Sequence, residues 1–264
     1  MAVVKQLLDS GADIEARVGG LHTTPLQWSV WHKRLDIAKL LLEYGATQDN
    51  VNKLGWSMLF FCWPRLRRGE PSMLETLYVL EADTYQDYDA ADANGWTVLH
   101  RVAAYGRPEE VTALIKLGAN VRKENLPLHW NAIHHAAFYG NTETFRILAP
   151  HYGHALASMT DDRGWTLLHI AASAGNADIV RTMLSAGADP KKLSKPYFSH
   201  MPEALYGIEC TAREAAAAQS SGREQLYLDV LREVGLTQRQ DSGDQNEAFL
   251  GDNDLFWDAL ESLL

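Results

Sequence analysis

A short motif recurs along this chain at a nearly constant spacing, and this regularity limits the possible folds more than any other feature. Six four-residue blocks align with one another, beginning at Thr24, Ser57, Thr97, Asn131, Thr166 and Thr211. Their starts are 33, 40, 34, 35 and 45 residues apart, so the base period is 33 to 35 residues and two intervals hold insertions. A period in this range is typical of stacked repeats, in which each unit buries its apolar face against its neighbours.

Each repeat is predicted to form a pair of helices. The first motif residue is Thr, Ser or Asn, whose side chain can cap a helix by accepting from free backbone N–H groups. Small pairs such as Ala136-Ala137 let this first helix approach its neighbours, and a glycine such as Gly140 ends it. The second helix carries apolar residues at helical spacing and ends at a glycine, as at Gly118 and Gly187. The pattern predicts an all-α chain.

The repeat resembles the ankyrin repeat over residues 1 to about 236, most closely in the units that start at Thr97 and Thr166 and least in those that start at Ser57 and Thr211. The residues that carry the resemblance in one unit are Thr166-Leu167-Leu168-His169, Ala171-Ala172, Gly175, Val180, Met183-Leu184 and Gly187. The resemblance implies an ankyrin-repeat solenoid of stacked helix-turn-helix units with β-hairpin-like loops.

The periodicity divides the chain into four parts. They are half an ankyrin-like repeat at 1–20, five ankyrin-like repeats at 21–236 with insertions at about 64–71 and 190–206, an acidic linker at 237–253, and a short amphipathic C-terminal helix at 254–264. Because residues 1–17 match only the second half of a unit, either the chain is a fragment of a longer protein or an irregular start covers an apolar face.

Charge and cysteine content exclude several classes of function. The chain has 24 basic and 34 acidic residues, a net charge of −10, and such a surface repels nucleic acid. Cys62 and Cys210 are too few for a disulfide framework or a cysteine-based metal site, which favours a reducing compartment. A membrane-spanning helix needs about 18 consecutive apolar residues, and the sequence has no apolar stretch of that length. Together with the resemblance, these features predict a cytoplasmic or nuclear protein.

Aromatic residues recur at positions that the ankyrin-like arrangement turns toward a concave groove: the residue before each motif and those after the small pair. The predicted binding residues are Trp31, His32, Trp56, Trp96, Tyr105, Trp130, Phe138, Tyr139 and Trp165. Aromatic side chains supply much of the energy of protein interfaces, so this set predicts a site for another protein or an extended peptide. The alternative is that the tryptophans fill the space between successive hairpins.

No pattern in the sequence indicates catalysis, a cofactor or a metal. The residues His100, His134 and His169 recur in register, and the resemblance implies that they hydrogen-bond the backbone near the hairpins. The pair His151 and His154 has no acidic or thiol partner nearby in sequence. Phosphate-binding loops, nucleophile elbows and zinc-protease motifs are absent from the sequence. The prediction is therefore a non-catalytic interaction module.

Two alternative functions remain open at this point. One is an enzyme or small-molecule binder that uses the same groove, with Tyr and His side chains as acid–base groups. The other is a groove occupied by the chain's own residues 237–264, which hold seven acidic residues and one basic residue. The insertion near 190–206 carries three lysines and an aromatic pair, and it is either a binding contact or a solvated finger.

Overall fold

The computed structural model describes residues 1–62, 73–80 and 87–236. The chain divides into two compact units, Met1–Pro127 and Leu128–Leu264, and each is described by itself. Three predicted features lie outside the described residues: the insertion at about 64–71, the linker at 237–253 and the helix at 254–264. The described residues are helical apart from turns and isolated β-bridges, as the all-α prediction requires.

The described part of the first unit contains seven helices. They are α1 (Ala2–Asp9), α2 (Pro25–Trp31), α3 (Leu35–Glu43), α4 (Met58–Cys62), α5 (Met73–Val79), α6 (Val98–Tyr105) and α7 (Pro108–Lys116). Within each repeat the two helices pack against each other. Between successive repeats, first helix packs against first helix, as α2 does against α4, and second helix against second helix, as α3 does against α5. This arrangement confirms the predicted stack of helix pairs.

The described part of the second unit contains six α-helices and two short 3₁₀ segments, Ala149–Ala157 and Glu203–Leu205. The α-helices are α8 (Ala132–Tyr139), α9 (Thr142–Leu148), α10 (Leu167–Ala174), α11 (Ala177–Ser185), α12 (Ala212–Ala217) and α13 (Ser221–Glu233). Helix α10 is central, because it packs against the first helices of both neighbouring repeats and against its own partner α11. The small residues Ala137, Ala171 and Ala172 are fully buried at these crossings, which lets the helices approach closely.

The predicted helix caps form at the four motifs that begin with threonine, whereas the buried Ser57 hydroxyl has no hydrogen-bond partner among the described residues. Thr24, Thr97, Thr166 and Thr211 each accept a hydrogen bond from the backbone N–H three residues later, and the side chain of that residue accepts from the threonine N–H in return. This reciprocal capping satisfies two backbone donors at each helix start, and losing such a cap costs about 1 kcal/mol. At the other end, Gly140 and Gly175 adopt left-handed φ angles of 74° and 81° and end α8 and α10.

Successive hairpin loops are joined by single backbone hydrogen bonds. In the first unit the donor and acceptor pairs are Lys53 N to Leu21 O, Ala93 N to Leu54 O and Leu126 N to Asn94 O. In the second unit they are Asp162 N to Leu128 O and Lys195 N to Arg163 O. Each hairpin therefore fixes the position of the next one. The tryptophan that precedes a motif is thereby held beside the first helix of its repeat.

Candidate binding surface

The first unit brings together three aromatic residues from consecutive elements. Trp31 lies at the end of α2, and its ring centroid is 5.7 Å from that of Trp56 on the next hairpin and 6.0 Å from that of Phe61 on α4. Trp31 and Trp56 are half-buried, whereas Phe61 is buried. These two tryptophans therefore fill space between repeats and also leave part of each residue at the surface.

Arg101 is a structural residue that the sequence analysis missed. Its guanidinium carbon lies 5.4 Å from the Trp56 ring centroid, 5.3 Å from that of Phe60 and 5.5 Å from that of Trp96. The same guanidinium donates to the buried Asp92 carboxylate at 2.8 Å. Cation–π contacts contribute about 0.5 to 2 kcal/mol each, depending on desolvation. Part of the Trp56 and Trp96 surface is therefore already occupied by a cation of the chain itself.

His32 and Tyr105 are the exposed members of the predicted set in the first unit. Trp28, which was not predicted, is exposed beside His32. Tyr105 ends α6 and is 38% exposed. The His32 ring stacks on Trp28 with a centroid distance of 5.1 Å and an interplanar angle of 7°. Trp28 was not among the predicted residues, although its place four positions before His32 puts both on one face of α2. An exposed stacked pair of this kind offers a flat apolar surface.

The second unit presents a cluster of Trp130, Phe138 and Tyr139. The Phe138 ring lies 5.5 Å from Trp130 and 5.1 Å from Tyr139, centroid to centroid. Phe138 and Tyr139 are 43% and 42% exposed, whereas Trp130 is half-buried behind them. The Asn176 side chain donates to the backbone oxygens of residues 137 and 138, at 2.6 and 3.0 Å, and so fixes the end of α8 that carries the two rings.

Trp165 is the exception among the predicted residues, because its ring is buried at 2% exposure. The Arg163 guanidinium carbon lies 4.0 Å from its ring centroid and 5.5 Å from that of Trp130. Asp161 accepts from Arg163 Nε at 2.9 Å and from Trp130 Nε1 at 2.9 Å. The Arg163 guanidinium thus covers the Trp165 ring, which is the inter-hairpin packing given as the alternative for this residue.

The recurring histidines have the structural role that the resemblance implied. His100 Nδ1 accepts from Thr97 N at 2.9 Å, and its Nε2 donates to Lys123 O at 2.9 Å. His169 repeats this arrangement, with Nε2 donating to Cys210 O at 3.0 Å. Each ring thus joins a helix cap to the following loop. Burial lowers the pKa of His169 below its ordinary value, which favours the neutral ring that both bonds require.

The described residues hold neither a cluster suited to a metal ion nor a helix suited to spanning a membrane. No group of three or more His, Cys, Asp or Glu side chains in the part of the chain that the structure describes is placed to hold a metal ion. Among the helices of those residues, none has the length and apolar character to cross a membrane.

The fold and the repeated caps define a class of protein, and comparison with family models identifies it. Residues 66–151 and 124–193 match the model for ankyrin repeats in three copies, and residues 22–54 match the model for a single ankyrin repeat. These matches cover more than half of the chain, so the protein belongs to the ankyrin repeat family. Repeats of this family generally mediate protein–protein interaction, and the fold is generally a non-enzymatic scaffold.

A solved structure shows the same fold. The crystal structure of the ankyrin repeat domain of Bcl-3, a member of the IkappaB protein family, matches with a TM-score of 0.61 and 21% sequence identity. The match covers 88% of this chain and 91% of that chain. At this level of identity the comparison concerns the fold alone.

Curated relatives share repeats with this chain but are much longer. The chain is 30% identical over 139 residues to palmitoyltransferase AKR1 of Lachancea kluyveri, covering 50% of this chain and 18% of that protein. It is 25% identical over 169 residues to the mouse B-cell lymphoma 3 protein homolog, covering 64% and 37% respectively. The human transient receptor potential cation channel subfamily A member 1 is 35% identical over 186 residues, covering 69% and 16%. This chain therefore spans well under half the length of each relative.

Proposed function

We propose that this protein is a non-catalytic module that binds another protein or an extended peptide. The proposed contacts are exposed aromatic residues on the first helix of each repeat. The observation that carries the proposal is the cluster of Trp130, Phe138 and Tyr139. Two rings there are more than 40% exposed, yet their backbone is held by the Asn176 side chain. Exposed rings on a fixed backbone lose little conformational entropy on binding, and one well-buried ring can contribute about 2 kcal/mol or more.

The proposed contact residues follow from exposure. Phe138, Tyr139, Tyr105 and His32 come first because they are exposed, and Trp28 joins His32 through their stacking. The half-buried tryptophans Trp31, Trp56, Trp96 and Trp130 support these rings from behind and add part of their own edges. Trp165 is left out of the proposed set because a partner cannot reach its buried ring.

The proposal of a binding role over a catalytic one is supported by where the shifted pKa values occur. Burial raises the pKa of Cys62 to about 12 and that of Tyr227 to about 12, and it lowers the pKa of His169. Cys62 and Tyr227 are buried in different repeats, and the neighbouring shifted groups His169 and Glu214 each complete a helix cap, so these shifts have structural causes. The buried free thiols of Cys62 and Cys210 favour a reducing compartment, so the proposed location is the cytoplasm or the nucleus.

The division of the chain into half a repeat, five repeats, an acidic linker and a terminal helix is part of the same proposal. The described helix pairs support the repeats at 21–236, and α1 (Ala2–Asp9) supports a second-helix identity for the start of the chain. In that arrangement each helix pair contributes a few aromatic contacts to a partner that extends along several repeats.

The proposal is tested by quantitative affinity purification from cell extract with the intact chain and two variants. The first variant is Phe138→Ala/Tyr139→Ala, which removes both exposed rings of α8. The matched control is Tyr44→Ala/Tyr78→Ala, which removes two exposed rings from the second-helix side of the first unit. For any partner that the wild type enriches, the dissociation constant is then measured with purified proteins.

The α8 variant is expected to weaken binding about 30-fold or more, the equivalent of about 2 kcal/mol, while the control binds like the wild type. Both pairs of rings are exposed, so neither double substitution should unfold the chain, and circular dichroism checks this. Equal binding by the wild type and the α8 variant would show that recognition does not use this cluster. A catalytic role would instead appear as turnover of a bound small molecule.

A further inference from the structure

The second insertion is an ordered segment, which we call the strap and define as residues 190–208. Two backbone bonds close it: Ser194 N donates to Cys210 O at 2.9 Å, and Gly207 N donates to Tyr197 O at 2.8 Å. Arg163, the buried arginine beside Trp165, holds it from below because its guanidinium donates to the backbone oxygen of residue 200. The strap therefore keeps a defined place on the second unit and is not a loosely solvated finger.

The strap exposes apolar side chains that its own fold leaves uncovered. Phe198 is 73% exposed even though its ring lies against Gly207, where an added Cβ would come within 2.8 Å of it. The other exposed apolar residues of the segment are Leu193, Tyr206 and Ile208. These four exposed apolar side chains lie within 16 residues of sequence, and exposed apolar surface of this kind is typical of interaction sites.

The same segment carries three lysines against one acidic residue, Glu203. Lys191, Lys192 and Lys195 are exposed, and none of them forms an ion pair with any residue that the structure describes. The sequence has no other lysine between residues 128 and 264, and no acidic residue between 190 and 202. In a chain of net charge −10, this cluster attracts an acidic ligand that also offers apolar side chains.

The chain itself contains a segment of that chemistry, at residues 237–264, outside the described residues. It holds seven acidic residues against one arginine, so its formal charge is 1 − 7 = −6. Its apolar residues Phe256, Leu260, Leu263 and Leu264 are spaced at i, i+4, i+7 and i+8. We propose that residues 237–264 bind the strap of the same molecule, with their carboxylates facing its lysines and their apolar side chains covering Phe198 and its neighbours.

The connection makes this contact possible within one molecule. Helix α13 (Ser221–Glu233) packs against α10, α11 and α12 of the same unit, and the described chain ends just after it. The 17 residues from 237 to 253 can extend about 56 Å, at 3.3 Å per residue, whereas a unit of about 100 residues has a radius of gyration near 13 Å. A tether of this length gives an effective concentration of about 1 mM, enough to populate a weak contact.

The first test is zero-length carbodiimide cross-linking of the full chain at low protein concentration, with peptides identified by mass spectrometry. The proposal predicts amide bonds between strap lysines and carboxylates such as Asp254 and Asp258, in yields about tenfold above those for three exposed lysines of the first unit, Lys5, Lys39 and Lys53. Equal yields for both groups of lysines would overturn the proposal. Cross-linked dimers in place of the intramolecular product would instead identify a second copy as the ligand and would also overturn it.

The second test is the rate at which chymotrypsin cuts the full chain after Phe256 and Trp257. The variant Lys191→Glu/Lys192→Glu/Lys195→Glu should be cut about three to ten times faster than the wild type, because exposed ion pairs contribute a few tenths of a kcal/mol each. The control Lys5→Glu/Lys39→Glu/Lys53→Glu makes the same change in net charge and should leave the rate unchanged. Adding Asp252→Lys/Asp254→Lys/Asp258→Lys to the strap variant should restore protection. Equal rates in the wild type and the strap variant would refute the contact.

Discussion

Arg163 offers the sharpest test of how the tryptophan hairpins are held. Its side chain is 5% exposed, that of Asp161 is fully buried, and the two are joined through Arg163 Nε and Nη2 at 2.9 and 2.6 Å. Replacing Arg163 by Met keeps most of the volume but leaves the Asp161 carboxylate without its cation. Breaking a buried pair in this way costs about 3 to 5 kcal/mol.

The structure places the expected loss at the low end of that range. After the substitution, Asp161 still accepts from the backbone N–H groups of residues 163 and 165 and from Trp130 Nε1. These three donors stabilise part of the negative charge, so the expected loss in free energy of unfolding is about 3 kcal/mol. For a cooperative transition in a protein of this size, this loss lowers Tm by about 6 to 12 °C.

A second substitution separates charge from geometry. In the first unit, Asn52 stands where Asp161 stands, and its Oδ1 accepts from Leu54 N at 2.9 Å and Trp56 N at 3.0 Å, so a neutral amide can form the same turn. Adding Asp161→Asn to Arg163→Met should therefore recover most of the lost stability. Urea unfolding followed by circular dichroism measures both variants. A loss below about 0.5 kcal/mol in the single variant, or no recovery in the double variant, would contradict the reasoning.

Three further predictions concern single residues. His22 has a φ of 53° at a hairpin position where other repeats have glycine. The variant His22→Gly relieves the left-handed strain but raises the entropy of the unfolded chain, so we expect a net gain of about 0.5 kcal/mol in the free energy of unfolding, measured with urea. Because the folded pKa of His169 lies below its ordinary 6.5, the unfolded chain binds the proton first as pH falls, and stability should drop below pH 6.5 by at most about 1.4 kcal/mol per pH unit. The variant His169→Gln should show a flatter dependence of stability on pH between pH 7 and 5. Glutamine can replace the histidine because Gln27, at the same motif position, bonds its own cap and the next loop in the same way. An unchanged pH dependence would assign the drop to other groups. Burial raises the pKa of Cys62 to about 12, so iodoacetamide at pH 8 should modify it only through unfolding, whereas rapid modification of the native chain would contradict its burial.

The repeat motif was sufficient to predict the local structure. Thr97 and Thr166 cap their helices as expected, and His100 and His169 bond to the loops that follow. The capping bonds connect residues three positions apart, so a repeated motif carries them directly. The histidine bonds reach the next loop at different spacings, 23 residues after His100 and 41 residues after His169, because the insertion lengthens the second interval.

The accessibility of the aromatic residues could not be predicted in the same way. Trp96 and Trp165 occupy one motif position, yet Trp96 is half-buried and Trp165 is 2% exposed. The two rings also meet different arginines: Arg101 of the following helix lies 5.5 Å from the Trp96 ring centroid, whereas Arg163 of the same hairpin lies 4.0 Å from that of Trp165 and also bonds to the strap. The motif does not include either arginine, so its spacing gave no sign of them.

The amino-acid sequence alone determined the class of fold and the helix pairs, because these depend on contacts within one repeat and between neighbouring repeats, which the periodic motif records. The tertiary structure decided which rings remain exposed, as Phe138 and Tyr139 do, and which are covered, as Trp165 is. It also decided that the strap is tied to Arg163. Exposure depends on side chains that approach from separate loops, and where these meet is set only when the repeats of a unit have stacked.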